Sequence, residues 1–513
     1  MTPSGTTSPS VPEGRDAPPS WNAAWELLLP AAAAPARQRG RMLQSAFREA
    51  VRSGRLAAGT RLPSSRELAA DLGVSRGLVT EAYEQLTAEG YLRSDRGSGT
   101  WVGGAARAAD APRARDLAPR DPGALVDFLP GTPDLSLFPR AAWAAAHKAV
   151  LERLPHRALG YPDPRGLPEL RTALAALLAR RRGVVADPER IVVCSGVAQA
   201  TTLLGFVLGE RGERTVGVED PGSPEHTALF AATGVRTRLL PLDEEGLATG
   251  PLYASGVRVA VTTPAHQFPS GIAYSARRRA ELLDWARAVD GLVVEDDYDG
   301  DFRYDRAPVG ALQGLDPEHV AYTGSVSKSL APGLRLGWLL APERLTGAIV
   351  ARKRTMDLGN PAFDQALLAD FLTSGAYDRQ LRRCQRAYRE RRDALVGALR
   401  EHFPGTEVSG IAAGLHIIAR LPARYGPERR LLARAAHARV AVRPLSYYSS
   451  RGTESSRGTE AGAGTEVGDG VALVLGYAHL TPSDIARGVR LLAGAVPAIS
   501  QAPGRTASGV GPG

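Results

Sequence analysis

Four short apolar runs set the tightest limit on how this chain folds. They are Arg190-Ile-Val-Val-Cys-Ser195, Thr215-Val-Gly-Val-Glu219, Val257-Arg-Val-Ala-Val-Thr-Thr263 and Gly291-Leu-Val-Val-Glu295. Each has the length of one strand, and helical stretches separate them. Near-continuous Val and Ile runs belong to strands covered on both faces, and strands that alternate with helices build a mostly parallel sheet. An α/β domain is therefore expected from about residue 126.

The 513 residues are long for one core and predict two or three domains. Residues 1–30, rich in Pro, Ser, Thr and Gly, read as a disordered tail. Residues 31–102 read as a small helical domain ending in a hairpin. Residues 103–125, with Ala, Arg, Pro and Asp and little periodicity, read as a linker. The large α/β domain is expected over 126–380. A smaller α+β subdomain is expected over 381–500, opening with a charged helix. Within it, Ser449-Ser-Arg-Gly-Thr-Glu454 repeats directly as Ser455-Ser-Arg-Gly-Thr-Glu460, so 449–470 reads as a low-complexity surface insertion without assigned function.

Composition excludes some classes. No apolar run approaches the 18 or so residues of a membrane span, and the N-terminus lacks a secretion signal pattern. A cytoplasmic location without a membrane partner is expected. Cys194 and Cys384 have neither metal spacing nor a disulfide framework and read as buried thiols. The net charge of +9 suits a nucleic-acid partner without requiring one. Among 63 basic residues the only lysines are Lys148, Lys328 and Lys353, which makes each easy to examine for chemistry.

Residues 61–102 carry a DNA-binding pattern. Ser64 precedes Glu67 by three residues, the spacing of a capping box that opens a helix. Gly73 ends that helix, and Ser75 starts a second one that runs to about Glu89. Leu78, Val79, Ala82 and Leu86 give the second helix one apolar face, and Gly90 stops it. Two helices joined by so short a turn form a helix-turn-helix. Tyr91-Leu-Arg93 then faces Thr100-Trp-Val102 across Asp95-Arg-Gly-Ser-Gly99, which reads as a wing. Arg76 would reach base edges from the second helix. Ser65, Arg66, Ser75, Thr80 and Tyr83 are candidates for phosphate contact, with Arg96 and Gly97 at the wing. A helical interaction domain with solvated arginines is the plainer alternative, but caps, wing and charge agree on double-stranded DNA. The segment resembles the winged helix of GntR-family regulators, through LPSSRELA, LGVSR, AEGY and GSGT as they stand here.

A second constellation lies in the α/β domain. Gly324-Ser-Val-Ser-Lys328-Ser-Leu-Ala-Pro-Gly-Leu-Arg335-Leu-Gly337 places one lysine among small polar residues and a glycine-rich bend. A lone lysine is usually solvated; this setting suits a crowded pocket. Ser325 and Ser327 offer hydroxyls, and Arg335 offers a bidentate cation for a phosphate. Glu295-Asp-Asp-Tyr-Asp299 ends an apolar strand, where Asp296 can pair with a protonated ring nitrogen and Tyr298 can donate to a ring oxygen. A metal site would want a further His or acid at a compatible position, and none is evident, so no metal is expected. Ser195-Gly196-Val197 lies where a strand turns into a helix, whose free N–H groups suit a phosphate. Thr263-Pro-Ala-His266-Gln267-Phe-Pro269-Ser-Gly271 is a turn-rich strand end expected to border the same pocket.

Together these segments resemble the fold-type I domain of class I/II aminotransferases, from about Asp127 to Gly494. Asp134-Leu-Ser-Leu-Phe-Pro139 and Gly160-Tyr-Pro-Asp-Pro-Arg-Gly166 match as well. With the GntR segment in front, the chain is similar to the MocR subfamily of GntR-type regulators, with PdxR-like members, which control vitamin B6 synthesis genes, as the nearest functional analogy. The resemblance implies pyridoxal 5′-phosphate (PLP) bound at Lys328, Asp296, Tyr298, Ser195, Gly196, Val197, Ser325, Ser327 and Arg335. It implies a homodimer in which Tyr161 reaches the phosphate of a neighbouring subunit. Lys328 would be the one residue of catalytic type. Three readings stay open at this point: a regulator with PLP as effector, an active aminotransferase, and a regulator sensing an amino acid or amine.

The chain departs from the aminotransferase pattern at two positions. Ser223 stands where an aromatic residue usually covers the PLP ring. Val474, in Ala472-Leu-Val-Leu-Gly-Tyr477, stands about where an arginine clamps the substrate carboxylate, an anchor worth roughly 1.5–3 kcal/mol. Its loss favours PLP over an amino acid as effector. His416, in Gly414-Leu-His416, lies nearby in the family fold.

Overall fold

The protein is described by a computed structural model, covering residues 31, 33–95, 99–103, 123–304, 309–449 and 470–496. The tail 1–30, Arg96, Gly97 and nearly all of the 449–470 insertion lie outside the described residues. The chain divides into two compact units, Met1–Pro119 and Arg120–Gly513.

The first unit is built by helices α1 (Arg39–Arg52), α2 (Ser65–Leu72) and α3 (Arg76–Ala88). Leu43, Phe47 and Ala50 recur at helical spacing on α1, and Val79, Ala82, Tyr83 and Leu86 do so on α3. These stripes meet over Leu68, Leu72, Leu92 and Val102 to form one core. Phe47 and Tyr83 pack edge to face with centroids 5.7 Å apart. The Ser64–Glu67 capping box is present in both directions, and Ser75 Oγ caps α3 at Leu78 N–H. Between them Gly73 takes the left-handed conformation, φ +62°, that a turn this tight requires. The wing is β2 (Leu92–Asp95) against β3 (Gly99–Val102), with Arg93 opposite Trp101. A third strand, β1 (Arg61–Leu62), joins β3 and was not foreseen. Two residues are too few to show a period.

In the second unit a short β4 (Val126–Asp127) precedes the large sheet. That sheet holds β5 (Ile191–Cys194), β6 (Thr215–Asp220), β7 (Arg236–Asp243), β8 (Gly246–Leu247), β9 (Val259–Thr262), β10 (Leu292–Asp296), β11 (Val320–Ser325) and β12 (Gly337–Leu340). Its order is β5-β12-β11-β10-β9-β6-β7-β8. The run β7-β6-β9-β10-β11 is parallel, while β12 is antiparallel to both neighbours. All four apolar runs lie in it, as β5, β6, β9 and β10. Helices cover both faces. Val192, Val218 and Val261 pack with Ala200, Leu203 and Ile349 on one side. Val193, Tyr322 and Trp338 pack with Leu170 and Leu174 on the other.

The C-terminal part is an antiparallel sheet of β13 (Glu407–Ser409), β14 (His416–Leu421), β17 (Val471–Gly476) and β16 (Arg443–Pro444), in that order. It packs with the 27-residue helix Ala376–His402, which carries Leu381, Leu395 and Leu399 into the core. The strand β15 (Val440–Ala441) pairs with β4, so the chain around Val126 is tied to this part rather than to the large sheet.

Among the described residues, no helix is long and apolar enough to cross a membrane.

Candidate functional site

The parallel strands all point their C-terminal ends at one crevice, where ligands bind in open α/β sheets. Ser195 follows β5, Ser223 follows β6, Tyr298 follows β10, and Lys328 follows β11. Side chains from distant parts of the chain thus converge.

Gly196 sits between β5 and the helix Val197–Glu210, and that helix has no side-chain cap at its N-terminus. The Gly196 φ is +86°, and a Cβ there would lie 2.9 Å from an Arg335 terminal nitrogen. Arg335 itself is left-handed, φ +51°, and donates to the Ser195 carbonyl. The two close on each other only because Gly196 has no side chain. Ser195 Oγ accepts from Asn360 Nδ2 at 2.8 Å, and the Ser195 N–H donates to Gln199 Oε1 at 2.7 Å. Ser325 ends β11, and its Oγ accepts from the Ser327 N–H at 3.4 Å.

Lys328 is half-buried and its ammonium donates to the Gly131 carbonyl. It shares a pocket lining with Tyr298 and Ser325. Asp296 Oδ2 lies 3.0 Å from His226 Nε2, and Thr323 Oγ1 donates to Asp296 Oδ1 at 3.3 Å. Burial disfavours a charged His226, yet the hydrogen bond and charge of Asp296 raise its pKa above the ordinary 6.5. Tyr298 Oη is 3.0 Å from His266 Nδ1, which is itself 2.8 Å from Asp299 Oδ2. Burial first, then the Asp299 charge, push the Tyr298 phenol well above its usual value, so it stays protonated. The fold also supplies histidines that linear spacing hid from the acidic run. One ligand-type atom each from His266, Asp299 and His416 lie within 4.8 Å of one another. Here they serve hydrogen bonds, with His416 Nε2 3.0 Å from the Pro269 carbonyl. Burial, then His266, hold His416 neutral with a pKa lowered to about 3.

Tyr161 stands apart from this group. It is 90% exposed, on the loop between Gly160 and Pro162. Ser223 hydrogen-bonds Glu225 at 2.6 Å. Val474 is fully buried with Ile418 and Tyr448.

In the first unit a concave face runs from Ser64, Ser65 and Arg76 past Thr80 to Ser94, Gly99 and Thr100. Arg66 and Arg76 are exposed with no ion pair among the described residues. The hydroxyls of other candidates are engaged. Thr80 Oγ1 donates to the Arg76 carbonyl at 3.0 Å, and Ser75 caps α3. Tyr83 is buried, and its Oη donates to the Pro63 carbonyl at 3.1 Å. Arg61 was missed: it lies on the same face, 6.0 Å from the Trp101 ring centroid, against Gly99. Only the β1–β3 register, invisible in the sequence, places it there.

A DNA-binding head on an aminotransferase fold defines a class of transcription regulator. Bacterial regulatory proteins of the gntR family match residues 41–102, and aminotransferase class I and II matches residues 129–463. The chain belongs to both families in that order, the arrangement of the MocR subfamily of HTH-type regulators. An uncharacterized HTH-type transcriptional regulator of Bacillus subtilis, YhdI, is 33% identical over 88% of this chain and 94% of its own. The pyridoxine biosynthesis regulator PdxR of Corynebacterium glutamicum is 34% identical over 73% of this chain and 82% of its own. Among solved structures, an archaeal alanine:glyoxylate aminotransferase superposes with a TM-score of 0.62 at 27% identity, over 72% of this chain and 90% of that one.

Proposed function

We propose that this transcription regulator holds PLP in the Lys328 pocket and that occupancy changes its affinity for a double-stranded DNA operator. The observation that carries this reading is the Gly196–Arg335 cradle. It sets a guanidinium against an uncapped helix N-terminus, and a single Cβ would fill the gap. Such a place suits a phosphate dianion. PLP supplies an aldehyde for capture of a primary amine and an electron-poor ring. Lys328 is the amine in reach of it. Asp296, hydrogen-bonded to His226 and Thr323, holds the ring-nitrogen proton. Tyr298, protonated at neutral pH, donates to the ring oxygen. Ser195, Gly196, Val197, Ser325, Ser327 and Arg335 receive the phosphate.

Ser65, Arg66, Ser75, Arg76, Thr80 and Tyr83 form or support the DNA face, with Arg61 beside them and Arg96 and Gly97 at the wing. A second copy of the chain completes each pocket through Tyr161. The name of the Corynebacterium relative suggests that the regulated genes serve PLP supply.

The test is operator binding at fixed salt, using a duplex selected by the full-length protein from a random pool. PLP is expected to change the dissociation constant by about fivefold or more, the usual size of an allosteric coupling. The Lys328→Ala protein should bind the duplex and ignore PLP. An unchanged constant for the wild type would sink the proposal.

A further inference from the structure

The sequence lacks an arginine at Val474, which argues against a carboxylate-bearing ligand. The sheet register alters that conclusion. Arg443 on β16 is the direct antiparallel partner of Val474 on β17. Directly paired residues in an antiparallel ladder project to the same face with Cβ atoms about 5 Å apart. Across β17's other edge, Val474 pairs with Ile418 of β14. Val474, Ile418 and Tyr448 form one small apolar cluster with Phe268 packed on it. Phe268 in turn lies edge-on to Tyr298 at 5.8 Å and to Tyr448 at 5.1 Å. The face that carries Arg443 is therefore continuous with the wall of the Lys328 pocket.

The guanidinium is also prepared. Its carbon lies 4.3 Å from the Tyr447 ring centroid, a close cation–π stack that limits its rotamers. Its positive charge bears on the Tyr448 phenol, and the Tyr448 backbone carbonyl accepts from the Gly222 N–H at the rim of the pocket. No carboxylate lies within ion-pair distance of Arg443 among the described residues. The nearby Glu225 is engaged with Ser223. A half-buried arginine, stacked on an aromatic ring and without a counter-ion among the described residues, is suited to an anion that arrives from outside.

We propose that Arg443 is the carboxylate-recognition residue of this pocket, set one strand over from the Val474 position, and that the second ligand is an amine bearing a carboxylate. This rests on the PLP reading of the Lys328 pocket. Arg443 is a specificity residue: it selects among amines and leaves PLP binding itself unchanged.

The test uses stable conjugates, so that no reaction is required. N-(5′-phosphopyridoxyl)-L-leucine and N-(5′-phosphopyridoxyl)-3-methylbutylamine differ only by the carboxylate. Both are titrated calorimetrically into PLP-free full-length protein, wild type and Arg443→Met. The wild type should bind the leucine conjugate about tenfold or more tightly than the other, as a charge-assisted hydrogen-bonded pair implies. In Arg443→Met that ratio should fall to about one, while affinity for the amine conjugate stays within about twofold of wild type, which shows the pocket intact. A wild-type ratio near one, or a ratio that survives Arg443→Met, overturns the assignment while PLP binding stands. If neither conjugate binds the wild type, the PLP reading fails and this inference with it.

Discussion

Gly196 is the residue at which one methyl group would strike the phosphate cradle directly. The Cβ would meet Arg335 at 2.9 Å, and the Gly196 backbone, φ +86° with ψ 176°, lies in a region held almost only by glycine, which strains an L-residue by about 1–3 kcal/mol before any contact is counted. Relief requires Arg335 to move off the helix N-terminus. Gly196→Ala should therefore weaken PLP binding by about tenfold or more, read by absorbance titration, while far-UV dichroism stays unchanged. Wild-type affinity in that variant would remove Gly196–Arg335 from the phosphate site. The candidate residues found in the sequence are those grouped in short stretches, such as Ser325, Ser327, Lys328 and Arg335. Those missed hold their roles through long-range partners. His226 meets Asp296 across 70 residues; His266 is placed at the pocket border by its turn-rich segment, but its partner Asp299 is not. Arg443 meets Val474 only through a ladder. No local pattern marks such pairs.

At the scale of elements, local chemistry was legible where one residue decides an end. Ser64, Gly73 and Ser75 fix the helix-turn-helix within a residue of the expected positions, because caps act over three or four residues. Strand limits shifted by up to two residues, as in β9, which starts at Val259 rather than Val257. There the ends depend on partners and not on the run itself. The strand β12 interleaves between β5 and β11 against their direction, an order no apolar run reveals. The capping box allows a quantitative check. Replacing an N-cap serine by alanine costs about 1 kcal/mol. Ser64→Ala should thus speed amide hydrogen exchange in α2 by about fivefold in the full-length protein, with α1 unaffected. Equal exchange in α2 would mean that packing of Leu68 and Leu72 alone sets that end.

At the scale of the molecule, one buried carboxyl and one exposed loop govern how the second unit responds to conditions and to a second copy. Glu295 is fully buried on β10, accepting from the Leu312 and Gln313 N–H groups. Burial first, then the Asp297 charge, raise its pKa from 4.5 to about 7. The native state thus binds a proton that the unfolded chain releases. Its stabilising effect is whole below the unfolded value of 4.5 and is lost as pH rises through about 7. Glu295→Gln should flatten the pH dependence of the unfolding midpoint across that window; an unchanged slope would assign it to other groups. Tyr161 bears on assembly. It is 90% exposed beside Leu159 at 60%, an apolar loop that a monomer gains nothing by presenting. If Tyr161 serves the pocket of a second copy, Tyr161→Ala loses PLP affinity, and Lys328→Ala loses the visible PLP band. Mixed dimers then regain one whole pocket, with Lys328 from one subunit and Tyr161 from its partner. Equal pools pairing at random restore the band at roughly a quarter of all sites, at a PLP concentration that leaves Tyr161→Ala alone unfilled. If Tyr161 instead serves its own chain, both defects fall in separate pockets of the mixed dimer and mixing restores nothing. The regained absorbance therefore reports dimerisation and the direction of the Tyr161 contact in one titration.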